Sequence, residues 1–296
     1  VKVALIYGGP SPEAAISKLS AAAVEKALKE LGHEVTPLEL NPELPVKLKE
    51  LKPDVAFLSL HGSPGEDGTV QGLLEVMGIP YTGCGVISSA VCIDKDLCKR
   101  VLKSHGIRVP AGETLYKEEW EREKNFYPTE LPCVVKPAKV GSSVGLSLVE
   151  QEEEFERAVD EAFKVDTKVL VEEFVKGREL TVAVLNGKAL PVVEIVLPKK
   201  LYDYQTKYES GETEYKVPAD LPPRTTQRLK KIAEKAYRVL ECKGAVRIDF
   251  RLDPFNSPVL LEVNTIPGLT ERSLLPKAAR AAGIPFERLV EEMLPR

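Results

Sequence analysis

Histidine, tryptophan and methionine are nearly missing from this 296-residue sequence, which has three His, one Trp and two Met. The histidines stand apart at 33, 61 and 105, and the five cysteines, at 84, 92, 98, 133 and 242, form no C-x-x-C pair. A structural zinc site is therefore not expected. Buried thiols in a reducing compartment are expected instead. No apolar run approaches the roughly 20 residues of a membrane span, so no membrane partner is expected. Excess positive charge is missing too: 41 Lys and Arg face 45 Asp and Glu, a net charge of −4. That excludes a protein held on nucleic acid by bulk charge. Asn and Gln are sparse while Glu and Lys abound, a composition that leans toward a thermophile. The first apolar run, Val3 to Tyr7, is shorter than a signal-peptide core, so a cytoplasmic location is expected. With 43% hydrophobic and 29% charged residues the chain has an ordinary globular composition. Its length suggests roughly two domains, or three small ones.

The first stretch alternates strand and helix. A strand is expected at 1–7, a helix at 13–31 stopped by Gly32, a strand near 34–40, a helix near 44–51 and a strand at 54–60. This βαβαβ order predicts a parallel sheet whose strand ends face a ligand cleft. A helix near 85–91 follows, then a helix at 95–104, strands at 112–116 and 132–136, a glycine-bearing loop at 141–145, a strand at 145–149 and a helix at 151–163. Strand 168–174 leads to strands 179–185 and 188–196, which flank the hairpin dipeptide Asn186-Gly187. Residues 197–218 are polar and lack periodicity, as a lid would. A helix at 224–240, strands at 244–252 and 258–264 and two last helices complete the chain.

The chemistry concentrates at 245–264. Side chains two apart on a strand share a face. Arg247 and Asp249 thus point one way on one strand, and Glu262 and Asn264 share a face of the next. Carboxylates in such an apolar setting need a cation or hydrogen bonds. Two carboxylates and an amide oxygen form the donor set that Mg²⁺ accepts. An internal salt bridge to Arg247 is the competing reading; it explains Arg247 and one acid, whereas a metal explains both acids and Asn264. Lys136 to Gly145 (K-P-A-K-V-G-S-S-V-G) follows a strand, and its backbone N–H groups could cradle phosphate, or form only a turn. It is not a Walker A loop, because no G-K-S/T closes it. Ser11 and Pro12 read as a helix start, with Glu13 beside the helix dipole. His61 opens a loop with three glycines around two acids, and Lys95 begins a helix where an anion is favoured.

In order and spacing these segments resemble the D-alanine–D-alanine ligase family of ATP-grasp enzymes. The resemblance runs from Gly8-Gly9 to the final helices. It is carried by H-G-S-P-G-E-D-G-T-V-Q-G at 61–72, K-P-A-K-V-G-S-S-V-G at 136–145, Y-D-Y-Q-T-K-Y at 202–208, and G-A-V-R-I-D-F followed by L-L-E-V-N-T-I-P-G at 260–268. It implies an α/β chain, α+β in the ATP-binding part. The expected ATP-grasp fold would follow an N-terminal Rossmann-like parallel-sheet domain. The expected division is 1–94, 95–176 and 177–296, with a lid loop near 197–218 in the last part.

By the same resemblance Glu13 holds the ammonium of the first D-alanine, with His61 nearby. Lys95 and Lys136 bind ATP phosphates under the loop carrying Ser142 and Ser143. Glu172, Glu173 and Val175 line the adenine pocket, Glu179 takes the ribose hydroxyls, and Lys207 reaches the γ-phosphate. Asp249, Glu262 and Asn264 ligate two Mg²⁺ ions, or Mn²⁺. Arg247 and the Gly268 backbone stabilise the oxyanion, while Ser273 and Leu274 receive the second substrate's carboxylate. Glu13, Ser142 and Tyr208 form a hydrogen-bonded trio. The implied activity is ATP-dependent, ADP-forming synthesis of D-alanyl-D-alanine through a D-alanyl phosphate, for peptidoglycan precursors, in a homodimer. D-Alanine–D-lactate or D-alanine–D-serine ligation is the near alternative, and a nucleotide-binding regulatory protein the non-enzymatic one. Three places depart from the family pattern: Ala14-Ala15 after Glu13, Arg251 where an apolar residue is common, and Glu271-Arg272 before Ser273.

Overall fold

A computed structural model describes residues 1–11, 13–126, 128, 130–141, 144–196 and 213–295. Strands β1 (Lys2–Gly8), β2 (Glu34–Glu39) and β3 (Val55–Leu60) form a parallel sheet in the order β2-β1-β3. Two helices make the crossovers, α1 (Ala14–Glu30) and α2 (Leu44–Leu51). The apolar runs of β1 and β3 are continuous because both faces are covered. Val3, Leu5, Val55 and Phe57 pack on one side; Ala4, Ile6, Ala56 and Leu58 pack on the other. The start of α1 differs from expectation. Ser11 lies two residues early: its Oγ accepts from Glu13 N (3.2 Å) and its carbonyl from Ala14 N (3.0 Å), while Glu13 occupies the cap position itself.

Helix α3 (Thr69–Met77) was not expected from sequence, because Gly72 sits in its interior. Its first turn is held by Asp67, whose Oδ1 accepts from Thr69 N at 2.9 Å. Helices α4 (Val86–Ile93) and α5 (Lys95–Ser104) follow, and Asp94 caps α5 by accepting from Leu97 N. A second sheet contains β4 (Gly112–Tyr116), β5 (Cys133–Pro137), β6 (Ser147–Val149) and β7 (Lys168–Glu173), in the antiparallel order β4-β7-β5-β6. The short α6 (Lys117–Arg122), also not expected from sequence, and α7 (Phe155–Phe163) carry its core, where Trp120 meets Phe155 edge to face.

The third sheet is also antiparallel. It comprises β8 (Arg178–Leu185), β9 (Lys188–Ala189), β10 (Val193–Val196), β11 (Glu214–Lys216), β12 (Ala245–Leu252) and β13 (Pro258–Asn264). Its order is β11-β10-β8-β12-β13, with β9 paired to β8. The hairpin at Asn186-Gly187 forms as expected, with both residues at positive φ (49° and 82°). The long strand expected at 188–196 is instead broken into β9 and β10; the interruption contains Pro191, which has no ladder donor. Near the end of the segment 197–218, where a lid is expected, β11 pairs with β10 as an edge strand. Residues 197–212 lie outside the described residues.

Helix α8 (Pro223–Val239) covers one face of this sheet, against Leu180, Val182, Ile248 and Phe250. Cys84, Cys92, Cys98 and Cys242 join the same core, and all five cysteines are buried and unpaired as disulfides. The last helices, α9 (Leu274–Ala281) and α10 (Phe286–Met293), return to the parallel sheet. Leu275, Leu289 and Val290 share one core with Val3, Leu5, Val24 and Leu28.

Candidate functional site

Since α8 takes the even-numbered side chains of β8 and β12, the odd-numbered ones face the other way. Glu179 and Thr181 on β8 stand directly opposite Arg251 and Asp249 on β12. On the other edge, Arg247 faces Asn264 and Asp249 faces Glu262. The register shifts after Asp249, so that Phe250 pairs with Leu260 and Leu261 is the extra residue. This bulge lets Leu260 enter the core while Glu262 and Asn264 keep the face of Asp249 and Arg247. Leu261 turns into a cleft between the second and third sheets.

That cleft is lined by Lys95, Lys136, Glu172, Glu173, Val175, Glu179, Asp249 and Glu262, with Val140, Gly141 and Val144 from the glycine-bearing loop. The structure thus brings together most of the residues expected around ATP. Lys95 heads α5 and donates from Nζ to Val140 O (2.9 Å), tying the helix start to that loop. Its neighbours Asp94 and Asp96 are held by Lys168, at 3.0 and 2.5 Å. Glu172 is 4% exposed and is paired with two lysines, Lys136 at 2.8 Å and Lys99. Burial opposes the charge of Glu172, but Lys136 and Lys99 outweigh it and hold the carboxyl down at about 2. Burial, with Lys136 alongside, lowers Lys99 to about 7 against the pull of Glu172. Glu173 is engaged elsewhere, its Oε1 accepting from Ala111 N at 3.0 Å.

At the metal candidates the ion pair is present. Arg247 donates from Nε to Asp249 Oδ1 (3.0 Å) and from Nη2 to Oδ2 (2.9 Å), and lies 4.0 Å from Glu262 Oε1. Thr181 adds a hydrogen bond from Oγ1 to Asp249 Oδ1 at 2.7 Å. Asn264 Oδ1 accepts from Ile266 N at 3.0 Å, which leaves a lone pair for a second partner. Among the described residues no three His, Cys, Asp or Glu side chains converge on a metal position. The expected set therefore rests on two acids and an amide.

The ends of β1 and β3 supply the other half of the site. Glu13 is buried, and a Cβ on Gly141 would stand 3.6 Å from its Oε2, so the glycine-bearing loop passes close by. Burial, and after it Arg247, lowers the His61 imidazole to about 4. Among the described residues its Nε2 is buried with no hydrogen-bond partner. Glu66, in the same loop, is 6% exposed and accepts from Gly62 N at 2.5 Å. Burial pushes its carboxyl up to about 7, with Glu13 adding to the rise against the Gly62 hydrogen bond, Arg247 and Lys95. Ser273 caps α9 and lies against Gly268, and its Oγ accepts from Thr270 N at 3.0 Å. The Leu274 side chain is in the core with Leu275, so that residue offers the site only its backbone. Ser142, Ser143, Lys207 and Tyr208 lie outside the described residues.

Sequence reasoning missed Lys99, Glu66, Thr181 and Lys168. Lys99 follows Lys95 by one helical turn, and Thr181 follows Glu179 on the same strand face, so both spacings were visible. Nothing local marks Lys168, whose partners come from α5.

The chain matches the family described as "D-ala D-ala ligase N-terminus" over residues 41–84 and "D-ala D-ala ligase C-terminus" over residues 101–295. It is 48% identical to the D-alanine–D-alanine ligase of Aquifex aeolicus over 98% of both chains. Among solved structures it resembles the Bacillus anthracis D-alanine–D-alanine ligase complexed with ATP, with a TM-score of 0.85 and 33% identity over 98% of this chain and 95% of that one. It also resembles the VanG D-Ala:D-Ser ligase of Enterococcus faecalis, with a TM-score of 0.83 and 30% identity over 99% and 98% of the two chains. The two antiparallel sheets enclosing the cleft, behind a parallel-sheet unit, are the ATP-grasp fold expected from sequence.

Proposed function

The chain belongs to the D-alanine–D-alanine ligase family, and from that premise we propose that it joins two D-alanines into D-alanyl-D-alanine with conversion of ATP to ADP, for peptidoglycan precursors. The observation that carries this reading is the junction of two half-sites. A cleft bearing Lys95, Lys136, Glu172 and Glu179 opens toward Asp249, Glu262 and Arg247. Arg247 is in turn within electrostatic reach of His61 and Glu66 at the β3 end.

The carboxylate of the first D-alanine attacks the γ-phosphorus of ATP, and the bond to the β-γ bridging oxygen breaks to release ADP. The amine of the second D-alanine attacks the carbonyl carbon of the D-alanyl phosphate. The C–O bond to phosphate breaks, the nitrogen loses a proton and inorganic phosphate leaves. Glu13 holds the first ammonium, with His61 beside it. Lys95 and Lys136 take phosphate oxygens, with Ser142 and Ser143 over them and Lys207 at the γ-phosphate. Glu172, Glu173 and Val175 take the base, and Glu179 the ribose. Arg247 and the Gly268 N–H meet the oxyanion as it develops, where preorganised donors act most strongly. Ser273 and the backbone of Leu274 receive the second carboxylate, and Tyr208, Ser142 and Glu13 connect lid to substrate.

Asp249, Glu262 and Asn264 offer an all-oxygen donor set across two adjacent strands, which fits Mg²⁺ or Mn²⁺. Two such ions would neutralise triphosphate charge. The named acids outnumber the named bases, so a triphosphate here needs that added positive charge. We further propose three functional parts, 1–94, 95–176 and 177–296, acting in a cytoplasmic homodimer.

Phosphate release with MgATP tests the activity: D-alanine should stimulate it and L-alanine should not. Absence of a D-alanine response would refute the reading. Ligation to D-serine is the second reading, favoured by the VanG resemblance. Product separation from equimolar D-alanine and D-serine decides between them.

A further inference from the structure

Arg251 is left over by the functional reading. It is 7% exposed, stands directly opposite Glu179 across β12 and β8, and its Nε lies 2.6 Å from Glu179 Oε2. Its Nη1 donates to Gly177 O at 3.0 Å, and the guanidinium carbon lies 5.5 Å from the centre of the Phe174 ring. One side chain therefore touches a wall of the cleft and both ends of the segment that joins β7 of the second sheet to β8 of the third. That segment is itself pressed onto β12: Gly177 has φ 138°, and a Cβ there would overlap Leu252 O.

Stability alone gives Arg251 no reason. A buried ion pair is often no better for folding than apolar side chains of similar volume, because desolvation offsets the attraction. A planar guanidinium does fix the direction of its partners, with several donors in one rigid fork. Here those partners are a carboxylate, a carbonyl and an aromatic face at one spot in the cleft.

We propose that Arg251 is a positioning residue for nucleotide recognition: braced on Gly177 O and the Phe174 ring, it holds Glu179 in the orientation that receives the ribose hydroxyls. The proposal rests on Glu179 being the ribose acceptor. Arg251 itself touches no reacting atom.

The test is steady-state kinetics with ATP and with 2′,3′-dideoxy-ATP, for the wild type, Arg251→Met, Arg251→Lys and Glu179→Gln, with melting curves to establish folding. Arg251→Met should raise KM for ATP about tenfold, as expected for loss of a charge-assisted contact, and leave kcat nearly unchanged. Its KM for dideoxy-ATP should stay within about twofold of wild type, since that nucleotide has no hydroxyl for Glu179 to receive. Arg251→Lys keeps the charge but cannot span both Glu179 and Gly177, and should fall between the two. If Arg251→Met does not fold, the same dependence on the hydroxyls is read from Arg251→Lys. An equal loss with both nucleotides, or no loss with either, overturns the proposal while Glu179→Gln still distinguishes them. If Glu179→Gln fails to distinguish the nucleotides, the ribose reading falls and the proposal with it.

Discussion

Replacing Glu66 by Gln removes a proton site whose value burial has raised from 4.5 to about 7. In the unfolded chain this carboxyl ionises near its ordinary value, so between the two pH values the folded protein keeps a proton that the unfolded chain has released. Stability then falls as pH rises: the contribution is complete below about 4.5 and lost through about 7. The span corresponds to about 3 kcal/mol. Water entry and relaxation reduce such penalties, so we expect about 2 kcal/mol between pH 5 and 8, or about 3 °C in Tm for a chain of this size. Glu66→Gln keeps an oxygen for the Gly62 N–H but cannot ionise. The Tm of the variant relative to wild type should therefore rise by about 3 °C from pH 5 to pH 8. His61, lowered to about 4, moves stability the other way, gaining as pH rises through 4 to 6.5; it is present in both proteins and drops out of the difference. Calorimetry of the ligand-free protein at fixed ionic strength measures this directly. A Tm difference that is flat across pH, or that falls, would refute the buried carboxyl as its source.

Glu262→Gln should lower turnover by about a hundredfold or more, as for loss of one preorganised electrostatic partner, while circular dichroism stays unchanged; full activity at saturating Mg²⁺ contradicts the metal assignment. Gly177→Ala should lose about 3 kcal/mol or more, because its Cβ meets backbone at a φ that L-residues rarely adopt; a denaturant midpoint equal to wild type would show that the linker can yield. Tyr208→Phe, losing one hydrogen bond worth about 1 kcal/mol, should keep dipeptide synthesis and form severalfold more D-alanyl-D-lactate at low pH; an unchanged product ratio from mixed D-alanine and D-lactate rejects that role.

Periodicity made the strands at 245–252 and 258–264 legible, and with them the shared face of Arg247, Asp249, Glu262 and Asn264. Their register was not legible, because the bulge at Leu261 is a property of the pair and not of either strand. Helix α3 escaped notice because Gly72 weakens the helical pattern and its N-cap is Gly68, which offers no capping side chain. Arg251 stood out only as a departure from the family pattern, yet its meaning lies in Glu179 and Phe174, which only the folding of β12 onto β8 brings to it. Likewise Lys99 was one more lysine on a charged helix until Glu172 was found against it.

The core shared by the parallel sheet and the last two helices sets a timetable for the chain on the ribosome. Val3, Leu5, Val55 and Phe57 are made early, yet Leu275, Leu289, Val290 and Met293, which help cover them, are made late. At roughly 5–20 residues per second the delay is on the order of tens of seconds. During that time part of an apolar sheet face awaits its cover, an interval in which a nascent-chain chaperone would find a binding surface. The first unit to emerge is thus among the last to be completed.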